Sequence, residues 1–535
     1  MEQKKSDLAV RSASADPIGG AWLEREFGIR LVQPLNVRSE IGTRRQTVDH
    51  GHRREVYQEQ MRPKDLTGHL TFLLKHEGVH LEFLARLFDR VDPTDLARWV
   101  NSEPTGQYAR RAGFLYEWIT GRLLAIDADR IAGGYVDALD AKAQIVATSS
   151  SNVTRWRVRD NMPGTPAFCP TVRLTAGVRE AVAFDLAAAL GKEEAEFGAE
   201  VLRRSAVWMT LRESRSSFLI EGEQDQVTRI QRFAAVMERR TGEGEIPLDT
   251  GDLTELQKEI LGEVTTLASF GLRQSPVFVG EMVRYENVVH YVAPDWPDVG
   301  PMLQGLQTFV SRTRGASATA RAAVTSFAFV YIHPLADGNG RVHRFLVNDV
   351  LRRDGAIHAP FILPISALIT EHSAERARYD QALEAFSRPL MERYADRYSF
   401  SRESQQQRDG VLSNFHFEAY DEARAAWRFL DLTSHVEYSG GLLARTIQQE
   451  MHSQASFFRS LGQARAAVKE FIEGPDADID TIIRSARESG GRLSGKLAKR
   501  FPSLEKGDIW SKVSSAVAEA FAAGEIDLRP GQRGP

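Results

Sequence analysis

The stretch from Ala322 to Arg353 limits what this chain can fold into more than any other. An apolar, helix-compatible run from Ala322 to Ile332 stops at Pro334, whose ring and missing N–H end a helix. A second amphipathic run, Phe345 to Arg353, follows closely, so the chain must turn sharply between two helices. The connection holds His333, Asp337, Gly338, Asn339, Gly340, Arg341 and Arg344. Glycines let a backbone fold tightly enough to aim several N–H groups at one anion, and a helix start adds its dipole, so phosphate is the natural guest. Arg341 and Arg344, three apart on one helix face, supply forks for further phosphate oxygens. Asp337 is suited to hold Mg²⁺ against the same phosphates, and His333 to take a proton near neutral pH. Together these residues read as a phosphoryl- or nucleotidyl-transfer site. The plainer alternative is a charged C-capping loop between two core helices.

Residues 333–344 resemble the signature of the Fic family, His-Pro-Phe-x-Asp/Glu-Gly-Asn-Gly-Arg-x-x-Arg, at every specified position except Leu335, which replaces the phenylalanine. The resemblance spans roughly residues 195–390 and implies a mainly α fold: a multi-helix Fic core with a short β-hairpin flap, flanked by helical N- and C-terminal regions. It also implies a protein adenylyltransferase that moves AMP from ATP to a Tyr, Thr or Ser hydroxyl of a protein target. On that reading His333 is the catalytic base, and Asp337 holds Mg²⁺ between the α- and β-phosphates. Gly338, Asn339, Gly340, Arg341 and Arg344 then bind the nucleotide. Relatives acting as kinases carry lysine at the second glycine, so Gly340 favours AMP transfer. His343 points elsewhere on the helix and reads as structural.

Upstream, Ser217, Glu221 and Gly222 fit the family's inhibitory pattern, Ser/Thr-x-x-x-Glu-Gly/Asn. Ser217 and Glu221 share a helix face at i, i+4, and Gly222 can end that helix. The resemblance implies that Glu221 pairs with Arg344 in place of the γ-phosphate and restrains the enzyme. An ordinary Ser…Glu surface helix is the alternative. Two other functions share these residues: the reverse reaction, removal of AMP with Glu221 positioning a water, and a helical nucleotide- or DNA-binding regulator that uses the Fic core as scaffold.

From Ser275 to Pro297 the helical pattern gives way to alternation, with Val277, Val279, Val288, His290 and Val292 as strand residues and Tyr285 to Asn287 as the turn. Beside a phosphate site such a hairpin offers an edge for an extended peptide. The resemblance makes it the flap, with Val288, Val289, His290 and Tyr291 docking the target. A hairpin that only covers core is the competing reading.

Elsewhere the chain reads as soluble and multi-domain. Its 535 residues are 42% hydrophobic and 26% charged with net charge −4, which argues against a dedicated polyanion binder. The single cysteine, Cys169, excludes an intramolecular disulfide framework and fits a reducing compartment. Residues 1–7 show no signal-peptide character and no run is apolar enough to span a membrane, so the predicted location is cytoplasmic. Four regions are predicted. Residues 1–62 form a polar, partly disordered segment, and 63–190 a helical module with a long loop at 152–175. Residues 191–395 form the Fic domain with its inhibitory helix, and 396–535 a C-terminal helical module. In the last, Gly491 to Phe501, with Arg492, Lys496, Lys499 and Arg500, permits a DNA-contacting helix-turn-helix, although a protein-docking or packing module is favoured. Self-association as a homo-oligomer is left open.

Overall fold

A computed structural model describes residues 16–49, 53–223, 227–284 and 286–526. The protein is mainly α-helical with four small sheets among the described residues. The chain divides into two compact units, one of residues 1–183, 245–350 and 377–440, the other of residues 184–244, 351–376 and 441–535.

The first unit opens with a four-stranded sheet in the order Asp16–Ile18, Val37–Ile41, Arg53–Tyr57, Gln46–Asp49. Polarity predicts loose attachment here, yet the arginines are spent on carboxylates. Arg38 pairs with Glu24, Arg54 with Glu40, and both Arg45 and Arg53 with Glu55, which is only 2% exposed. The part of the predicted disorder that falls on residues 1–15 and 50–52 lies outside the described residues.

Helices Leu81–Phe88, Pro93–Ser102 and Gln107–Thr120 follow and bury Leu84, Phe88, Trp99 and Leu115 in one core. Trp156 completes that core; its indole N–H donates to Glu117 Oε2 at 2.8 Å. Its ring lies so close to Gly113 that a Cβ there would stand 2.2 Å away. The long loop is ordered by its own polar groups. The Asn161 amide exchanges two 2.9 Å hydrogen bonds with the Leu139 backbone. The N–H groups of Cys169 and Thr171 donate to the carbonyls of Arg428 and Leu430, both at 2.8 Å. Cys169 is fully buried and burial raises its thiol pKa to about 12, which suits packing rather than reactivity.

Residues 398–417 depart from the helical pattern predicted from 396 onward. They form an antiparallel hairpin, Tyr398–Gln406 with Leu412–Phe417. Tyr398 and Phe400 alternate along one strand, Phe415 and Phe417 along the other, and Asp409-Gly410 turns the chain, with Gly410 left-handed at φ 83°. Phe400 and Phe415 pack on Phe278 at 5.3 and 4.8 Å between ring centroids.

In the second unit, helix Ala199–Ile220 carries buried Glu213, which accepts from the Ser366 N–H at 2.7 Å and its hydroxyl at 2.6 Å. Phe218 meets Phe233 of helix Val227–Arg240 edge to face. Helices His452–Lys469, Asp476–Glu488 and Ile509–Ile526 enclose a separate core of Val468, Ile479, Ile482, Ile483 and Val513. The short helix Gly495–Arg500 is capped by Ser494, and Arg500 pairs with Asp478 at 2.8 Å. Among the described residues no helix is long and apolar enough to cross a membrane.

Candidate active site

The chemistry-bearing loop joins helices Ala318–Ile332 and Asn339–Arg353. The first is buried on nearly every face, which its sequence of Ala, Val, Phe and Thr allows, and Ser317 caps its start. Its end is unusual. His333 adopts φ 50°, ψ 58°, a left-handed conformation uncommon for a residue with a Cβ. That kink points the chain into the loop through Pro334 and Leu335.

Every carbonyl at this helix end has a partner. The Phe329 carbonyl accepts the His333 N–H at 2.9 Å, and the Val330 carbonyl meets His333 Nδ1 at 3.2 Å. The Tyr331 carbonyl accepts the Tyr291 hydroxyl, and that of His333 accepts Arg273 Nε at 2.7 Å. The carbonyl of Pro334 takes the Arg273 N–H at 2.9 Å. A carbonyl oxygen only accepts, so Nδ1 of His333 carries the proton and Nε2 keeps the basic lone pair. Burial and the neighbouring Arg273 charge lower the His333 pKa to about 4, against the smaller upward pull of the Val330 carbonyl. The imidazole is therefore neutral near pH 7 and ready to accept a proton.

The loop closes on itself. Asn339 Oδ1 accepts from the Leu335 N–H at 3.0 Å and its Nδ2 donates to the Leu335 carbonyl at 2.7 Å. Both ends of this amide are thus engaged inside the loop. Gly338 is left-handed at φ 93°, and its carbonyl accepts from the Val342 N–H at 3.0 Å to start the second helix. Leu335 is fully buried, the anchor role expected of the phenylalanine it replaces. Gln257, 1% exposed on helix Thr250–Leu261, props the loop from below. It donates to the Asp337 carbonyl at 2.9 Å and accepts from the Gly271 N–H at 2.7 Å.

Asp337 is the exposed residue of the loop, its side chain 52% accessible and 3.3 Å from Arg341. Among the described residues no cluster of three or more His, Cys, Asp or Glu forms a self-sufficient cation site. One outward carboxylate beside a phosphate cradle nevertheless fits Mg²⁺, which keeps several waters and relies on substrate phosphates for the rest of its shell. Arg341 and Arg344 are buried, at 3% and 2% exposure. His343 donates from Nδ1 to the Ser326 carbonyl at 2.7 Å and packs edge-on against Phe327, a structural placement. Burial lowers its pKa to about 4.

The flap is the antiparallel pair Phe278–Val283 and Glu286–Val292. The predicted turn is displaced. Glu286 and Asn287 already pair with Val283 and Met282, Arg284 turns at φ 49°, and Tyr285 lies outside the described residues. A bulge leaves His290 out of the backbone register, since Val279 pairs with Tyr291 and Gly280 with Val289, while its ring lies 3.4 Å from the Glu281 carboxylate across the pair. Of the four predicted docking residues, Val288 and His290 face solvent while Val289 and Tyr291 are buried. Tyr291 instead reaches the catalytic helix, with its ring edge-on to Tyr331 and Phe386. Gly280 is required by close approach, because a Cβ there would stand 2.2 Å from the Val288 carbonyl.

The predicted inhibitory residues lie in the second unit. Helix Ala199–Ile220 ends where Glu221 takes the C-cap position, and Gly222 is left-handed at φ 74°. Ser217 is fully buried.

Residues 247–351, from helix Thr250–Leu261 through the flap to helix Asn339–Arg353, match the Fic/DOC family. This segment, about a fifth of the chain, is similar to Fic domains. Over 115 residues the chain is 30% identical to "Protein adenylyltransferase Fic" of Drosophila virilis, covering 21% of each protein. Over 121 residues it is 28% identical to the protein of the same name from Drosophila melanogaster, covering 22% of each. The chain thus matches about a fifth of the length of these curated relatives. Two solved structures are also similar. A Fic family protein from Desulfovibrio desulfuricans is 17% identical with TM-score 0.32, over 55% of this chain and 80% of that one. A Fic domain containing signaling protein from Bacteroides thetaiotaomicron is 16% identical with TM-score 0.30, over 53% and 97%.

Gln257 and Arg273 were not predicted from sequence. Neither carries a motif, and each acts through backbone carbonyls and amides that only the fold brings near. The one available signal was Arg273 itself, a charged residue set between Leu272 and the first strand where alternation begins.

Proposed function

We propose that this chain is a protein adenylyltransferase that uses ATP with Mg²⁺ and modifies a Tyr, Thr or Ser hydroxyl of a protein. The observation that carries the reading is the orientation of His333. Its Nδ1–H is held by the Val330 carbonyl, so Nε2 is the base, at the mouth of a glycine loop that opens helix Asn339–Arg353. The target hydroxyl oxygen attacks the α-phosphorus and its proton passes to His333 Nε2. The bond from the α-phosphorus to its bridging oxygen breaks, and pyrophosphate leaves. Main-chain N–H groups from Gly338 to Arg341, with Arg341 and Arg344, stabilise the charge that develops on the phosphates. Asp337 is the carboxylate that would hold the Mg²⁺ ion. Positioning and electrostatics do most of this work, which suits a loop that is fixed before substrate arrives.

ATP labelled at the α- or the γ-phosphate tests the reading. Label on protein from the α position alone supports AMP transfer, and from the γ position alone a kinase. No label from either, together with ATP binding, favours the scaffold reading. Release of AMP from a pre-modified protein identifies the reverse activity.

The same reading includes self-restraint by Glu221, supported by the Ser217–Gly222 pattern. A carboxylate competing with the γ-phosphate for Arg344, through a charge-assisted contact of about 1.5–3 kcal/mol, suppresses turnover roughly ten- to hundredfold. Glu221→Gly therefore raises AMP transfer, self-modification included, at least about tenfold. Adding His333→Ala to that variant abolishes the gain. Wild-type protein as active as Glu221→Gly rules out the restraint.

A further inference from the structure

Arg273 makes contacts that no catalytic role explains. It is 1% exposed and has no carboxylate partner within salt-bridge distance among the described residues. Its guanidinium is spent on main-chain oxygens instead: Nε on His333 at 2.7 Å, one terminal nitrogen on Ser275 at 2.8 Å, the other on Pro294 at 2.5 Å and Ile332 at 3.5 Å. Its own N–H adds the bond to Pro334. Ser275 lies just before the first flap strand and Pro294 just after the second. One planar, five-donor cation therefore joins both roots of the flap to the C-terminal end of the helix that carries the base.

A second contact repeats the connection further along the flap, where the Tyr291 hydroxyl donates to the Tyr331 carbonyl. The segment leading from Arg273 into the flap is itself tethered. Asp409, in the turn of the 398–417 hairpin, accepts from the Gln274 N–H at 2.7 Å and the Ser275 hydroxyl at 2.8 Å. The left-handed His333 backbone is thus held from outside its own helix, as a strained functional residue must be.

Resting on the adenylyltransferase reading, we infer that Arg273 is a positioning residue that locks His333 in its left-handed, Nδ1–H form and registers the flap against it, so that a docked hydroxyl and the base meet in one fixed geometry. The phosphate cradle is closed by Asn339 and Gln257, and no residue from Leu335 to Arg341 takes a hydrogen bond from the Arg273 side chain. Loss of Arg273 therefore separates target handling from nucleotide binding. Lysine keeps the charge but cannot reach the separate carbonyls that Nε and the two terminal nitrogens hold around the edge of the guanidinium.

The test uses the 535-residue chain as wild type, Arg273→Lys, Arg273→Met and Tyr291→Phe. Two measurements are made on each: ATP affinity with target KM and kcat, and ¹⁵N NMR of histidine-labelled protein, with the His333 signal assigned by its loss in His333→Ala. Arg273→Lys and Arg273→Met are expected to lower kcat/KM for the target at least about tenfold while ATP affinity changes less than about threefold. The His333 signal should shift from the Nδ1–H form toward a tautomer mixture in the same variants. Tyr291→Phe, which removes a hydroxyl and leaves every Arg273 contact in place, should show the same pattern to a smaller degree. Equal losses of ATP affinity and target kcat/KM in all three variants, or an unchanged His333 tautomer, overturn the inference. Absence of α-phosphate transfer by wild type would refute the adenylyltransferase reading instead, and the NMR comparison still decides whether Arg273 sets His333.

Discussion

Between Leu335 and Gly340 only Asp337 is exposed, and Asn339 and Gln257 tie the loop's backbone into a closed shape. Between Phe278 and Val292 the reverse holds. Val279, Met282 and Val288 are 43%, 71% and 38% exposed, and the hairpin's outer edges have no further strand among the described residues. Both segments contact Arg273 or its neighbours, so the contrast is not one of distance from the site. On the proposed function, it follows from what each has to do. Groups that stabilise a transition state gain from being fixed beforehand, because reorganisation at the moment of reaction is costly. A strand that receives an extended segment gains from an open main-chain edge, because backbone hydrogen bonds give affinity whatever the side chains.

The largest expected effect tests the fixed side of that contrast. His333→Ala removes the base and leaves the cradle, so transfer should fall about 10²- to 10⁴-fold with ATP affinity nearly unchanged. Parallel loss of binding in a titration would show that His333 chiefly holds the loop. Next comes Asn339→Ala, which strands the buried Leu335 N–H and carbonyl. Calorimetry should show about 1–3 kcal/mol of lost stability, and ATP affinity should drop along with turnover. Turnover falling alone would mean that Asn339 touches substrate rather than closing the loop.

The flap should respond in the opposite sense. Val288→Pro removes a main-chain donor from the strand, and the expected outcome is a several-fold higher target KM with ATP affinity untouched. A matching loss of ATP affinity would make the hairpin a cover for the core and erase the contrast. The smallest effect on turnover is in its pH response. With the His333 pKa near 4, the transfer rate should stay level from pH 8 to about 5. Stability should not stay level. Burial lowers the pKa of His343 to about 4 and of His435 to about 3, despite the opposing pull of Asp431 on the latter. Above pH 6.5 both are neutral whether folded or unfolded and stability is unaffected. Below it the unfolded chain binds protons that the folded one excludes, so each residue costs about 2 kcal/mol by pH 5. Melting temperatures measured from pH 8 to 5 should decline, and a level trace would mean that these rings are protonated in place.

Much of the catalytic helix pair was legible because periodicity and punctuation agree there. Helix Ala318–Ile332 contains the predicted run from Ala322 and ends with it at Ile332, since Pro334 follows. The flap strands were legible from alternation, but not the bulge at His290, because register depends on the partner strand. The 398–417 hairpin was misread as helical. Tyr398, Phe400, Phe415 and Phe417 did alternate, and their polar neighbours Ser401 to Arg408 masked the signal. Arg273 and Gln257 were illegible for a different reason: their partners are main-chain atoms far along the chain, which leave no trace in residue identity.

The Arg273 clamp has a consequence for how such a protein can change. All of its acceptors are backbone oxygens, and none of them depends on which side chain its residue carries. The solvent-facing positions of the hairpin, Val279, Met282, Val288 and His290, can therefore be rewritten for a new target without loosening the grip on His333. If the flap receives the target as proposed, those positions are replaceable and the clamp beneath them is not, so a library confined to those four positions should yield altered targets with the pH response and nucleotide affinity of the parent.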